Sequence, residues 1–282
     1  MRSLAEDEIF HPAVGPMAEA EALYVNQSRL RERLQNSSGE FVIWDVGLGA
    51  AANAIAALRA TREISGQLRI ISFDNTGEPL EFALKNVTAL GYLAGYENQI
   101  AGLLRDQRVK FENGKLKANW EFHLGDFPAL LARSSRGNEA HSSKSEIRNW
   151  ELEFPAPHAI FHDAFSPMKN PEMWTLPLFT NLIQLLDPTR SCALMTFSRS
   201  TLVRATLLLA GFFVGTGHAA GLKEETTIAA NTLELIVEPL NARWLTRALR
   251  SDSAEPLLEP VYSRAPLSPA TAEKLCQHPQ FN

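Results

Sequence analysis

The segment EFVIWDVGLGAAANAIAALRA, residues 40–60, constrains the fold more than any other part of the chain. Its unbroken apolar run from Phe41 to Trp44 has the pattern of a strand buried on both faces. Gly47 and Gly49 then permit a tight turn, and the alanine-rich stretch beyond them has helical composition. Strand, turn and helix in this order open a βα unit. A parallel partner strand needs a crossover connection, so such a unit commits the chain to an α/β sheet.

The pattern then repeats. LRIISFDN is a second predicted strand ending at Asp74, and EPLEFALKNVTALGY follows as a helix. VKFENGKLKANWEFHLGD predicts a hairpin turning at Asn113-Gly114, whose second strand leaves at Gly125-Asp126. HAIFHDAF and SCALMTFS are further strands, joined by the helix MWTLPLFTNLIQLL, which Pro177 interrupts early. RSTLVRATLLLAGF predicts a helix stopped by Gly211, FFVGTG a strand, and ETTIAAN its antiparallel partner. The expected fold class is α/β: a doubly wound, Rossmann-like sheet of the class I methyltransferase kind with an antiparallel terminal hairpin. The expected organisation is an N-terminal segment over residues 1–38, the sheet domain over 39–240 and a C-terminal extension over 241–282. Only a short helix around ARWLTRAL is legible in that extension. The polar stretch at 134–148 reads as a flexible surface insertion.

With 282 residues and 45% hydrophobic content, the chain can bury a sizeable core. No apolar run approaches the roughly 18 residues of a membrane span, and MRSLAEDEIFHP is too acidic for a signal peptide, so a cytoplasmic protein is expected. Cys192 and Cys276 are the only cysteines, which leaves neither a disulfide framework nor a zinc site, and no metal is expected. A net charge of −5 argues against indiscriminate nucleic-acid binding through a global positive field. Arg29, Arg31 and Arg33, with Glu32 among them, read as a solvated helix face.

Ligands of open α/β sheets bind at the carboxyl ends of the strands. Gly47 and Gly49 let a ligand approach the first turn, although glycines also serve plain turns. Through Ala52 the pattern satisfies G-x-G-x-x-A, which keeps an NAD(P)-dependent oxidoreductase in view. Asp45 favours another ligand: a carboxylate there opposes a pyrophosphate and suits a cation with an amino group, such as S-adenosyl-L-methionine. Asp74 can accept from both ribose hydroxyls or cap the following helix. Asp126, after Gly125, can accept from an adenine amino group or cap the helix FPALLARS. Asp163 falls two residues past the run Ala159 to Phe161, where a transferred group would meet its acceptor. Pro167, Pro171 and Pro177 stiffen the chain beyond it, and stiffness serves positioning. A rigid solvent-facing connection, with Phe165 and Trp174 packed beneath it, accounts for the same residues.

DAFSPMKNPEMWT resembles the D-[GA]-F-[AS]-P-x-K-N-P-[ED]-[ML]-W motif of the tRNA 5-methylaminomethyl-2-thiouridine methyltransferases, the methyltransferase half of the MnmC-type enzymes. FHPAVGPMAEAEALYV, DVGLGAAAN with Asn53, ISFDN, FHLGD and GLKEETTIA match in the same order, so the resemblance covers roughly residues 9 to 230. It implies S-adenosyl-L-methionine as cofactor and tRNA as partner, with methylation of the aminomethyl nitrogen on a modified wobble uridine. It further implies a stand-alone form, because the chain has no room for the flavin oxidase domain of the bifunctional members. Tyr24 becomes a cofactor contact, since the family's N-terminal segment folds over that site. Asp163, Phe165, Lys169 and Asn170 become the acceptor-side residues: Asp163 orients the amine, Phe165 walls the base pocket, and Lys169 either meets a phosphate or is an ordinary solvated loop lysine. The sequence departs from the pattern at Ala51, where many relatives have glycine, at Glu224, where a basic residue often follows Lys223, and at the 134–148 insertion. A non-catalytic RNA-binding relative is the remaining alternative.

Overall fold

The structure, a computed structural model, describes residues 15–139, 154–219 and 224–282, with backbone alone at 134–139. Its first elements are the short helix α1 (Pro16–Ala20), a π-helical turn at Glu21–Asn26 and α2 (Leu30–Gln35). The sheet domain alternates as expected: β1 (Glu40–Val46), α3 (Ala52–Thr61), β2 (Gly66–Asp74), α4 (Glu78–Lys85), α5 (Val87–Leu90) and α6 (Glu97–Asp106). The antiparallel pair β3 (Arg108–Asn113) and β4 (Leu116–Leu124) follows, then α7 (Phe127–Glu139), β5 (Ala159–His162), α8 (Leu176–Gln184), β6 (Ala193–Thr196) and α9 (Thr201–Ala210). The chain ends with β7 (Phe213–Gly217), β8 (Thr226–Ala230), α10 (Ala242–Ala248) and α11 (Pro269–Cys276).

Among the described residues the strands form one sheet in the order β3-β4-β2-β1-β5-β6-β8-β7. The five strands from β4 to β6 run parallel, and every residue of β5 and β6 is buried, which matches their near-continuous apolar sequences. The terminal hairpin is antiparallel, but it enters the sheet inside out: β8 pairs with both β6 and β7, so the later strand lies inside the earlier one. One face of the sheet packs under α3, the N-terminal helices, α4 and α6; the other packs under α7, α8, α9 and α11.

Several expectations change on contact with this architecture. The segment 78–92 is two helices, broken at Asn86, and α6 and α11 have no counterpart among the elements expected from sequence. Pro177 does not interrupt a helix; it sits in the first turn of α8, which Thr175 caps by accepting from the Leu178 N–H. The insertion begins later than 134, because α7 runs to Glu139, and the rest of it lies outside the described residues. Arg33 is no solvated residue. Its guanidinium donates to the carbonyls of His158 and Ser191, at 2.8 Å each, and lies over the Phe41 ring, whereas Arg29 and Arg31 pair with Glu32 and Glu21 at the surface. Among the described residues no helix is long and apolar enough to cross a membrane, and no cluster of His, Cys, Asp or Glu could hold a metal ion.

Candidate active site

The carboxyl ends of β1, β2, β4 and β5 are tied to one another by backbone hydrogen bonds that continue past the strands. The N–H groups of Gly47 and Leu48 both donate to the Phe73 carbonyl, Asp163 N–H donates to Val46, and Gly125 N–H donates to Asp74. Gly47, at φ +93°, crosses the strand that ends in Asp163 so closely that a Cβ would stand 2.7 Å from the Asp163 carbonyl oxygen. Glycine is required there by both conformation and space.

Around this turn the structure brings together four of the residues expected at the site. Asn53, on the first turn of α3, donates from Nδ2 to Asp163 Oδ2 at 2.8 Å. Tyr24, from the π-helical turn, packs its ring on Phe161 with centroids 4.9 Å apart, and its hydroxyl lies in the fields of Asp163 and Asp45. Burial first, then the Asp163 charge, pushes the Tyr24 phenol well above its ordinary pKa, so it stays protonated. Asp45 is wholly buried on the same face, and Ser72 donates its hydroxyl to Asp45 Oδ2 at 2.8 Å. Burial above all, with the neighbouring Asp163 and Asp74 and against the Ser72 bond, raises the Asp45 carboxyl to about 8. Two buried polar atoms here, Asp45 Oδ1 and Asn53 Oδ1, have no hydrogen-bond partner, while the Tyr24 hydroxyl is directed at Asp163. Unpaired buried polar atoms are costly, and two such oxygens side by side are available to the donors of a polar ligand.

Asp74 does not cap α4, which begins after Gly77 without a side-chain cap. Its oxygens accept from the N–H of Gly49 at 2.8 Å and of Thr76 at 3.2 Å, so it holds the glycine turn in shape. Burial raises its pKa and these backbone bonds pull it back down. Asp126 is exposed and accepts from Ala129 N–H at 3.1 Å, the geometry of a helix N-cap on α7. Gly125 and Asp126 follow β4, two strands away from β1 and the Asp45–Asp163 cluster.

The segment after Asp163 is held at both ends. The Trp174 indole N–H donates to the Phe165 carbonyl at 2.7 Å. His162, fully buried, places Nε2 3.1 Å from the Met173 carbonyl and its ring edge-on to Trp174. Burial lowers His162 to about 4, so the neutral imidazole is the donor. Phe165 is half-buried, Lys169 is exposed, and Asn170 donates to Glu172 at 2.9 Å while leaving its own Oδ1 buried without a partner.

His162, Ser72 and Trp120 were missed by sequence reasoning. Trp120 Nε1 donates to Ser72 Oγ at 2.9 Å, which completes a chain Trp120–Ser72–Asp45 across β4, β2 and β1. A serine inside an otherwise apolar strand was the one available signal; the tryptophan gave none, because its role depends on register.

The donor set decides between cofactors. Asp45, Asp74 and Asp163 surround the turn, and among the described residues no lysine or arginine pairs with any of them. Such a site suits a ligand carrying ammonium and sulfonium charge and opposes a pyrophosphate, so the oxidoreductase reading is not favoured. The family described as S-adenosyl-L-methionine-dependent methyltransferase matches residues 142–232. The tRNA 5-methylaminomethyl-2-thiouridine biosynthesis bifunctional protein MnmC of Aeromonas hydrophila is 28% identical over 246 residues, 82% of this chain and 34% of that protein. Its namesake in Aliivibrio fischeri is 25% identical over 260 residues, 87% of this chain and 35% of that protein. The chain thus spans about a third of the length of these curated relatives. The crystal structure of MNMC2 from Aquifex aeolicus superposes with a TM-score of 0.59 at 25% identity, covering 92% of this chain and 74% of that one. The chain has the fold of the class I methyltransferases, and in sequence it is similar to S-adenosyl-L-methionine-dependent methyltransferases and to about a third of the length of the MnmC proteins.

Proposed function

We propose that this chain methylates the aminomethyl nitrogen of a modified wobble uridine in tRNA, working in the cytoplasm where its substrate is found. The observation that carries the reading is the Asn53–Asp163 hydrogen bond, which joins the cofactor turn to the acceptor-side strand end within one cluster. The names of the curated relatives support tRNA as the substrate class. The flavin chemistry of bifunctional relatives is not assigned to these residues.

S-adenosyl-L-methionine supplies an electrophilic methyl on a sulfonium. The chain's own residues have two tasks: alignment, and removal of a proton from the amine. Gly47 and Gly49 admit the cofactor to the turn; Asp74 holds that turn and presents its carboxylate to the ribose; Asp126 offers an acceptor toward the adenine. Asp45 and Tyr24 face the amino-acid end. An alkylamine resembles lysine with a pKa near 10, so reaching its neutral form at neutral pH costs roughly 3 to 4 kcal/mol. Asp163 orients the amine and favours the positive charge that develops on nitrogen as the methyl arrives, with the proton passing to water. Phe165 walls the base, Lys169 meets a phosphate and Asn170 steadies the turn between them.

The deciding experiment is methyl transfer to bulk tRNA lacking the final methylation, followed by nucleoside mass spectrometry. Methylaminomethyl uridine at the wobble position is expected. Cofactor binding with no transfer to any tRNA would instead support a non-catalytic relative, a reading supported by Glu224 and by the acidic balance of the chain.

A further inference from the structure

Asp45 is placed unlike an ordinary ligand carboxylate. It is wholly buried, on the face of β1 that packs under α3, and paired in register with Ser72 of β2 and Phe161 of β5. One oxygen accepts a single bond, from the Ser72 hydroxyl, whose own oxygen is fixed by the Trp120 indole; the other oxygen has no partner.

The groups facing it from each packed element are acids or neutral donors. Asp74 lies at the end of β2, Asp163 at the end of β5 and Tyr24 on the π-helical turn, with Glu19 of α1 beyond Tyr24. Asn53 of α3 turns its amide to Asp163. Among the described residues no cation pairs with Asp45. A buried carboxylate with one hydroxyl donor, an unpaired oxygen and like charges on two sides does not ionise cheaply. A cationic ligand reverses that balance, and the unpartnered oxygens of Asp45 and Asn53 offer acceptors to its N–H groups.

We propose that Asp45 sets the charge specificity of the cofactor pocket by a proton exchange: it carries a proton in the empty pocket and loses it to solvent when a ligand bearing an ammonium group enters. One O–H bond of Asp45 breaks for each ligand bound, and the proton leaves to the buffer. Ser72 and Trp120 are positioning residues, because they fix one carboxyl oxygen and leave the other to the pocket. The pocket thereby favours a cationic ligand over an uncharged nucleoside and over an anionic dinucleotide. The raised proton affinity of Asp45 agrees with this arrangement.

The inference rests on the cofactor reading above, and the test separates the two. Calorimetric titration of the full chain in two buffers of different ionisation enthalpy, at about pH 6.5, counts protons released per ligand. With S-adenosylhomocysteine, which keeps the ammonium, the wild type is expected to release close to one proton; with 5′-methylthioadenosine, which lacks the amino-acid tail, none. Asp45→Asn keeps the shape of the protonated acid and is expected to release none. Its affinity should stay flat from about pH 6 to 8, where the wild type gains up to about tenfold per pH unit. Ser72→Ala, which removes the one bond favouring ionisation, should move the wild-type window to higher pH. Binding of S-adenosylhomocysteine to the wild type without proton release, or equal release by Asp45→Asn, overturns the role of Asp45 and leaves the cofactor reading standing. Failure of the wild type to bind S-adenosylhomocysteine at all overturns both.

Discussion

Gly47 and Ala51 share the first turn and obey opposite rules. At Gly47 any side chain meets the Asp163 carbonyl, and φ is +93°. Gly47→Ala is therefore expected to lose at least ~1 to 2 kcal/mol of stability from the left-handed backbone alone, and more from pushing β5 outward. A lower Tm together with weaker S-adenosylhomocysteine binding is the expected result; an unchanged Tm would mean that the turn yields freely. Ala51 is left-handed too, at φ +65°, yet fully buried. Ala51→Gly relieves strain of ~1 kcal/mol but gives up a buried methyl and raises the entropy of the unfolded chain, so it should be close to neutral in denaturant titrations. Asp163 belongs to chemistry rather than to the turn's covalent geometry. Asp163→Asn keeps a carbonyl acceptor for Asn53 and removes the negative charge. It should bind cofactor within a few-fold of wild type and lose about 10²-fold or more in single-turnover methylation. A parallel collapse of binding and Tm would make it structural.

The segment 163–174 behaves as one element because His162 and Trp174 close it: one side chain donates to Met173 and the other to Phe165. Both imidazoles on β5 and its approach are affected by burial, His162 and His158 each being lowered to about 4. The unfolded chain takes up these protons near pH 6.5 and the folded chain resists until about 4, so their contribution to stability is full above about 6.5 and is lost as the pH falls toward 4. Denaturant midpoints measured at about pH 7 and pH 5 should fall with acid, and less so in His162→Gln, whose amide can still donate to Met173 without titrating. An equal fall in that variant would remove His162 from the effect. The element was only half legible in sequence. Prolines and the apolar run before Asp163 announced a stiff connection after a buried strand, because those signals are local. That a histidine and a tryptophan eleven and nine residues from their partners would staple it was not, because such bonds exist only once the chain has turned. Arg33 failed for the same reason: three arginines on a short helix look solvated until two carbonyls from 125 and 158 residues away arrive beneath one of them.

Across the whole molecule, the features legible in advance were the parallel sheet and the row of strand ends, since apolar strands, glycine turns and terminal aspartates are patterns within single segments. The closing of the sheet's far edge was not, and it depends on the C-terminal extension. Beyond β7 the segment from Glu238 to Leu240 pairs with the strand: Thr216 N–H donates to Glu238 and Leu240 N–H to Val214. Gln280 then completes the edge with its side-chain amide, accepting from Val214 N–H and donating to the Val214 carbonyl, both at 2.7 Å, and donating to Leu240. Leu275 of α11 is fully buried in the same core as Leu207 and Phe212, and Trp244 stacks on Phe281. Residues 241–282 therefore act as part of the sheet domain rather than as an appendage to it. Gln280→Ala strands a buried N–H and should cost about 1 to 3 kcal/mol, while Gln280→Glu keeps only the acceptor and should recover part of that loss below the carboxyl's pKa, where its O–H can donate again. Removing residues 268–282 uncovers the apolar face over α9 and leaves the Val214 N–H at the sheet's edge without its Gln280 partner, a combination that invites association. The expected outcome is loss of a single cooperative unfolding transition and concentration-dependent aggregation, read by calorimetry and light scattering; a truncated chain that melts in one sharp step at the wild-type temperature would return the C-terminal segment to the status of a separable extension.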